Sequence, residues 1–258
     1  MVEIARKINW LMSAQFGFDV RCFVRSILGI PRYIRDLYRF RIIYPEPVKL
    51  VPCLHDWHAE GGTAGGEYFF QDLFVAQQIF NAAPHKHVDI GSRIDGFAAH
   101  VASFREIEVF DIRPVHSTVS GIVFRQADLM NDESIPENYC DSLSCLHALE
   151  HFGLGRYGDP LDPQGHLRGL RNMVRLLKPR GLFYLSSPIG EERVEFNAQR
   201  ILNPYELVQF AEQNGLVLKD FAFVQLRGTL QQSTDPMADI RALEHTRYAL
   251  GIFTFEKQ

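Results

Sequence analysis

From residue 67 onward, short apolar runs alternate with longer segments whose apolar residues recur at helical spacing. Runs at 86–90, 106–111, 121–126, 141–146, 181–187 and 217–224 have strand length, and Tyr248 to Phe255, after a long polar stretch, adds a seventh. Glu67 to Ala82 carries Phe70, Phe74 and Ile79 on one helical face, and helices are also expected over 96–104, 165–177 and 204–214. Strands and helices in alternation imply a parallel sheet covered on both sides. The expected fold is therefore α/β: a doubly wound, mostly parallel, seven-stranded sheet.

Upstream the pattern changes. In residues 21–42, arginines at 21, 25, 32, 35 and 39 fall on roughly one helical face, with Phe23, Ile27, Ile34, Leu37 and Tyr38 elsewhere. Pro31 is expected to split this stretch into two helices. It reads either as a solvated arginine face on a docked helical pair or as a surface for an anionic membrane or anionic glycan carrier. Pro45, Pro47 and Pro52 mark a linker, and Gly61 to Gly66 a flexible loop. The expected division is 1–60, a basic helical extension and linker, and 61–258, the α/β domain.

Charge sharpens that division. Residues 1–50 carry nine Lys/Arg and four Asp/Glu (+5), and the remainder 18 and 27 (−9), which sum to the net −4. At 258 residues and 46% hydrophobic, the chain supports a sizeable core. No uncharged apolar run has a membrane-spanning length. Glu3, Arg6 and Lys7 without an apolar h-region argue against a signal peptide. Cys22, Cys53, Cys140 and Cys145 form no CxxC pair, the pattern of reduced thiols in a cytoplasmic protein. No nucleic-acid partner is expected, and the oligomeric state is left open.

In doubly wound sheets ligands bind outside the carboxyl ends of the strands. The first strand is followed by Asp89-Ile90-Gly91-Ser92-Arg93-Ile94-Asp95-Gly96-Phe97, the second ends in Asp111, the third is followed by Gln126-Ala127-Asp128-Leu129, and the fourth leads into His147-Ala148-Leu149-Glu150-His151. Asp111, about twenty residues past the glycine turn, suits a ribose diol. Asp128 suits an adenine amine. Gly91 and Gly96 share the spacing of a phosphate loop, but Phe97 and Ala98 follow where lysine and Ser/Thr are needed, and the G-x-G-x-x-G dinucleotide fingerprint is missing. His147 to His151 matches H-x-x-E-H, which binds zinc only when helical, and a strand end is expected there. His55 and His58, near Cys53 and Glu60, lack an obvious fourth metal partner and are assigned a structural or lid role. No metal is expected.

This order of acidic residues resembles the class I S-adenosylmethionine-dependent methyltransferases across roughly residues 65–258. The segments DSLSCLHALEHFGLGRYGDP (141–160) and LLKPRGLFYLSSPIG (176–190) are similar to a methyltransferase-like family known only as a domain of unknown function. The resemblance implies S-adenosyl-L-methionine as cofactor, contacted by Asp89, Gly91, Ser92, Arg93, Gly96, Phe97, Asp111, Ile112, Asp128, Leu129, Leu146 and His147. It also implies methyl transfer to a small-molecule or glycan acceptor, with a sugar hydroxyl tied to surface polysaccharide as the acceptor class. Histidine serves a hydroxyl acceptor as a base near neutral pH, so His147, His151 and Asp159 are the catalytic candidates, and Glu150 is assigned to capping and loop packing. The superfamily loop commonly reads D-x-G-x-G-x-G, and here Arg93 and Asp95 replace two glycines. Arg93 then either pairs with the methionine carboxylate or obstructs the site, and the rival to catalysis is a non-catalytic binding or scaffolding module.

Overall fold

The structure is a computed structural model that describes residues 12, 13, 16–59, 61, 62, 64–131, 135–226 and 228–258, without the side chain of His58. Glu3, Arg6, Lys7 and Glu60 lie outside the described residues, as does the His58 part of the His55/His58 expectation. The chain divides into two units, Met1–Thr63 and Ala64–Gln258.

In the second unit, strands β1 (His87–Ile90), β2 (Ile107–Asp111), β3 (Ile122–Gln126), β4 (Cys140–Leu146) and β5 (Leu177–Ile189) run parallel. Two short strands, β6 (Arg193–Glu195) and β7 (Gln199–Ile201), form a separate hairpin. Strand β10 (Ala249–Lys257) inserts antiparallel between β5 and β8 (Leu216–Gln225), and β9 (Leu230–Gln232) covers the β8 edge. The order is β3-β2-β1-β4-β5-β10-β8-β9. The chain winds outward from β1 on one side and from β4 on the other, so the switch point lies between those two strands.

Helices close both faces. On one side α2 (Glu67–Ala82) and the short α3 (Ala99–Ala102) bury Phe74, Val75, Ile79 and Val101 against Val109, Leu146, Tyr184 and Ile252. On the other, α4 (Gly165–Leu176), α5 (Pro204–Gln213) and α6 (Pro236–Leu243) bury Leu170, Met173, Val208 and Ile240 against Leu143, Phe183, Phe221 and Phe253. The starts of α5 and α6 are sequence-encoded. Asn203 accepts from the Tyr205 and Glu206 amides, Asp235 from that of Ala238, and Pro204 and Pro236 take the first helical position.

Four expectations are corrected. The sheet has eight strands, not seven, because the glutamine-rich β9 is too short to register as an apolar run. The polar stretch before Tyr248 holds both β9 and α6. The strand expected over 181–187 begins earlier, at Leu177: Leu177 pairs with Cys140, and the ladder shifts before Leu182 meets Ser142, with Arg180 at φ 64° in between. In the first unit, helix α1 (Val20–Ile43) runs unbroken through Pro31, which forgoes the one hydrogen bond it would have made to Ile27. Asp19 caps its start through the Arg21 and Cys22 amides at 2.7 and 3.1 Å.

Candidate active site at the carboxyl ends of the strands

Asp89 sits on the central strand, opposite Val109 of β2 and Ser144 of β4, and is fully buried. Its carboxyl accepts from the Ser144 hydroxyl (2.5 Å), the Ser92 hydroxyl (2.9 Å) and the Ser92 amide (3.0 Å). Burial outweighs these bonds and pushes its pKa up to about 7. His87, with ring nitrogens 2.8 and 3.1 Å from Ser142 and Ser144 hydroxyls, is driven down to about 3 by burial and is neutral. Asp89 therefore acts from beneath, fixing Ser92 and the start of the loop.

That loop turns at Gly91, where φ is 76° and an added Cβ would come within 2.9 Å of the Ala148 methyl. The loops after β1 and β4 thus meet at the switch point, and only glycine allows that approach. Arg93 and Asp95 join each other through a guanidinium fork, at 2.9 and 2.6 Å, with side chains 75% and 71% exposed. The fork holds the Asp95 carboxyl below its usual range. Arg93 is paired with its neighbour in the open. A π-turn over Ile94–Ala98 follows, with Gly96 at φ −120°, ψ −116°, and Phe97 drops into the core edge-on to His87.

At the end of β2 the expected ribose acid is already engaged. Asp111 accepts from the Arg113 amide (2.8 Å), Nε (3.0 Å) and Nη2 (2.5 Å), and Nη2 also reaches the Gly91 carbonyl at 3.4 Å. The same guanidinium lies 4.5 Å from the centre of the Tyr157 ring. Asp128, after β3, accepts from the Met130 amide at 2.8 Å and is partly exposed. Ile112 is partly exposed beside Asp111, whereas Leu129 and Leu146 are core residues that leave only backbone to a ligand.

Beyond β4, His147 takes a left-handed conformation (φ 51°), a strained position for a residue with a Cβ. Its Nδ1 donates to Glu150 at 2.8 Å, Nε2 faces Glu67 at 3.4 Å, and the Tyr68 ring lies against it, tilted by 35°, at 4.6 Å between centroids. Burial opposes its charge, but the bonds to Glu150 and Glu67 prevail and raise the pKa to about 9. With its pKa raised, His147 is held as a cation between the two carboxylates at neutral pH. Glu67 also accepts from Tyr248 at 2.6 Å. Glu150 is fully buried with one oxygen unpaired, and the short 3-10 turn Leu149–His151 has no side-chain cap, so Glu150 partners the histidine instead of capping.

His151 differs. Its Nδ1 faces the Ala198 carbonyl at 2.7 Å, and because a carbonyl only accepts, the proton resides on Nδ1. Burial lowers its pKa, so the ring is neutral, and its lone-pair nitrogen Nε2 lies 3.7 Å from Glu150. Asp159 accepts from the amides of Gly153 (2.8 Å), Gly155 (3.0 Å) and Tyr157 (3.1 Å) and so pins the glycine loop. Buried Arg200, on β7, donates to the carbonyls of Glu150, Phe152, Asp162 and Pro163 and ties both ends of that loop down. His147 and His151 flank one carboxylate, and among the described residues no three His, Cys, Asp or Glu side chains form a metal-holding group.

The structure therefore gathers Asp89, Gly91, Ser92, Asp111, His147 and His151 around the switch point. It adds Glu67, Tyr68, Arg113, Tyr157, Arg200 and Tyr248, which the sequence reading missed. Arg113 had a signal, since a guanidinium two residues past a strand-end aspartate can reach back. Glu67 and Tyr248, 181 positions apart, had none.

A family model described as "Caenorhabditis protein of unknown function, DUF268" matches residues 115–212. Among solved structures, the chain is similar to the 1,6-didemethyltoxoflavin-N1-methyltransferase of Burkholderia thailandensis, which holds 1,6-didemethyltoxoflavin and S-adenosylhomocysteine. The identity is 15% over 73% of this chain and 79% of that one, with a TM-score of 0.51. It is also similar to the N-methyltransferase NodS of Bradyrhizobium japonicum in complex with S-adenosylhomocysteine, at 13% identity over 74% and 87% of the chains and a TM-score of 0.50. No curated protein sequence matches. The chain has the class I methyltransferase fold, extended by the edge strand β9.

Proposed function

We propose that this chain is an S-adenosyl-L-methionine-dependent methyltransferase acting on a hydroxyl of a sugar or other small molecule connected with surface polysaccharide, in a cytoplasmic setting. The observation that carries the reading is the row of Asp89, Asp111 and Asp128 at the ends of adjacent strands beside the switch point. The residues suit the cofactor: the turn at Gly91 brings the loops after β1 and β4 together, and Asp111 and Asp128, at and just past the ends of β2 and β3, are the carboxylates that would take a ribose and an adenine amine. When bound, the cofactor supplies a sulfonium methyl open to in-line displacement.

The chain's residues then have distinct tasks. Asp111 accepts the ribose hydroxyls once Arg113 yields them room. The loosely held Nε2–H of His147, 3.4 Å from Glu67, is the donor that orients an acceptor oxygen. His151, neutral with its lone pair on Nε2, takes the hydroxyl proton, and Glu150 steadies the imidazolium that forms. Positioning supplies most of the acceleration. With the acceptor in hand, His151→Ala is expected to lower turnover by about 10²–10⁴-fold with cofactor affinity unchanged. Turnover by the wild type is expected to fall on acidification only below the ordinary histidine range, because burial lowers the pKa of His151 and keeps the base neutral to lower pH. Full activity in His151→Ala rejects the base assignment.

The rival reading, a non-catalytic binding or scaffolding module, is favoured by one observation, the Arg113 fork that occupies Asp111. Calorimetry with S-adenosylhomocysteine separates the two: a module that has lost the cofactor gives no heat even when Arg113 is removed.

A further inference from the structure

Helix α1 has no buried residue over its 24 positions, and its faces differ. One face is half-covered by its own linker: Cys22, Ser26, Gly29 and Tyr33 are partly buried, and a Cβ on Gly29 would collide with the Leu54 carbonyl. A second carries Arg21, Arg25, Arg32, Arg35 and Arg39. Asp36, the single acid of the helix, pairs with Arg32 and Arg35, each at 3.1 Å. Arg21, Arg25 and Arg39 have no carboxylate within ion-pair distance among the described residues. The third face is an open apolar stripe of Phe23, Ile27, Ile30, Ile34, Tyr38 and Ile42, in steps of three and four, each at least 42% exposed.

We propose that α1 lies in the plane of an anionic lipid bilayer, its Phe23–Ile42 stripe immersed and its arginine row on the headgroups. An apolar stripe alone fits any hydrophobic partner. The uncompensated guanidinium groups running beside it along the helix select a surface that is both apolar and negative. A second copy of α1 fits poorly, because stripe-to-stripe pairing would bring two arginine rows together. The helix is about 36 Å long at 1.5 Å per residue, and no described helix is long and apolar enough to cross a membrane, so an in-plane position remains. Continuity through Pro31 matters here, since two separate helices would break the stripe. Residues 51–258 carry −9 and are repelled by the same surface, so attachment falls to the basic segment.

The test is co-sedimentation of the full chain with vesicles of phosphatidylcholine alone and of phosphatidylcholine with phosphatidylserine. Binding is expected to the mixed vesicles only, and to weaken with salt. Arg25→Gln with Arg39→Gln is expected to weaken it about tenfold or more, since each arginine near such a surface contributes on the order of 1 kcal/mol. Ile27→Ser with Ile34→Ser is expected to abolish it. If the serine variant fails to fold by circular dichroism, the arginine pair, on the exposed polar face, still decides. Equal binding to neutral vesicles, no binding to either, or self-association abolished by the serine variant each overturns the proposal.

Discussion

Arg93 joins Asp95 through Nε and Nη2 at 2.9 and 2.6 Å, and Arg113 joins Asp111 through the same two atoms at 3.0 and 2.5 Å. Both pairs span two residues, and both lie at the crevice. They differ in burial: the first pair is 75% and 71% exposed, the second 39% and 8%. Water competes for the first, so it contributes little and can open at little cost. Around the second, water is largely excluded from the carboxylate, and any ligand for Asp111 must replace the hydrogen bonds it removes. On the proposed reading, the exposed Arg93–Asp95 pair is the lesser obstacle of the two, and Arg113 is the group a ribose at Asp111 has to displace.

The largest effect is expected at Asp111. Asp111→Ala removes a buried charged acceptor, and charged hydrogen bonds are worth roughly 1.5–3 kcal/mol, so S-adenosylhomocysteine should bind at least about tenfold more weakly by calorimetry. Unchanged affinity in a folded variant would take Asp111 out of the site. Arg113→Ala should act in the opposite direction, tightening the same ligand by roughly three- to tenfold, because a half-exposed pair of modest strength no longer competes. Weaker binding would mean that Arg113 assists the ligand, and the contrast between the two pairs would fail. In the double variant the Arg113 benefit should vanish, since it acts only through Asp111. The smallest effect belongs to Arg93→Ala, expected to change affinity by less than about twofold, the range of ordinary surface substitutions. A large loss that spares adenosine would restore Arg93 as a reader of the methionine carboxylate.

His147 and His151 make a second contrast, four residues apart, one held as a cation and the other neutral. The folded-state pKa of His147 is raised from 6.5 to about 9, so its stabilising contribution is complete below pH 6.5 and is lost as pH rises through about 9. Denaturant midpoints should therefore decline over that window in the wild type and decline less in His147→Gln. Equal slopes would show that Glu67 and Glu150 do not hold a cation there.

The sheet was legible because apolar runs and helical spacing are local, as was the row of strand-end carboxylates. Pro31 misled because a ring within a helix removes only one hydrogen bond. The surroundings of Asp159 and His147, three amides in one case and two carboxylates in the other, were not legible, because they come from residues outside each local motif. Glu67 reaches the site from α2 and Tyr248 from the edge of β10, and nothing near either residue announces that meeting. Arg200 was likewise hidden, since a hairpin of three-residue strands carries it.

The most direct measurement is isothermal calorimetry of the full chain with S-adenosylhomocysteine, run beside Arg113→Ala under the same conditions. Saturable binding by the wild type, tightened in Arg113→Ala, is expected if Asp111 is the ribose acceptor and Arg113 its competitor. No heat from either protein at millimolar ligand, with both folded, would contradict the assignment of this crevice to S-adenosyl-L-methionine.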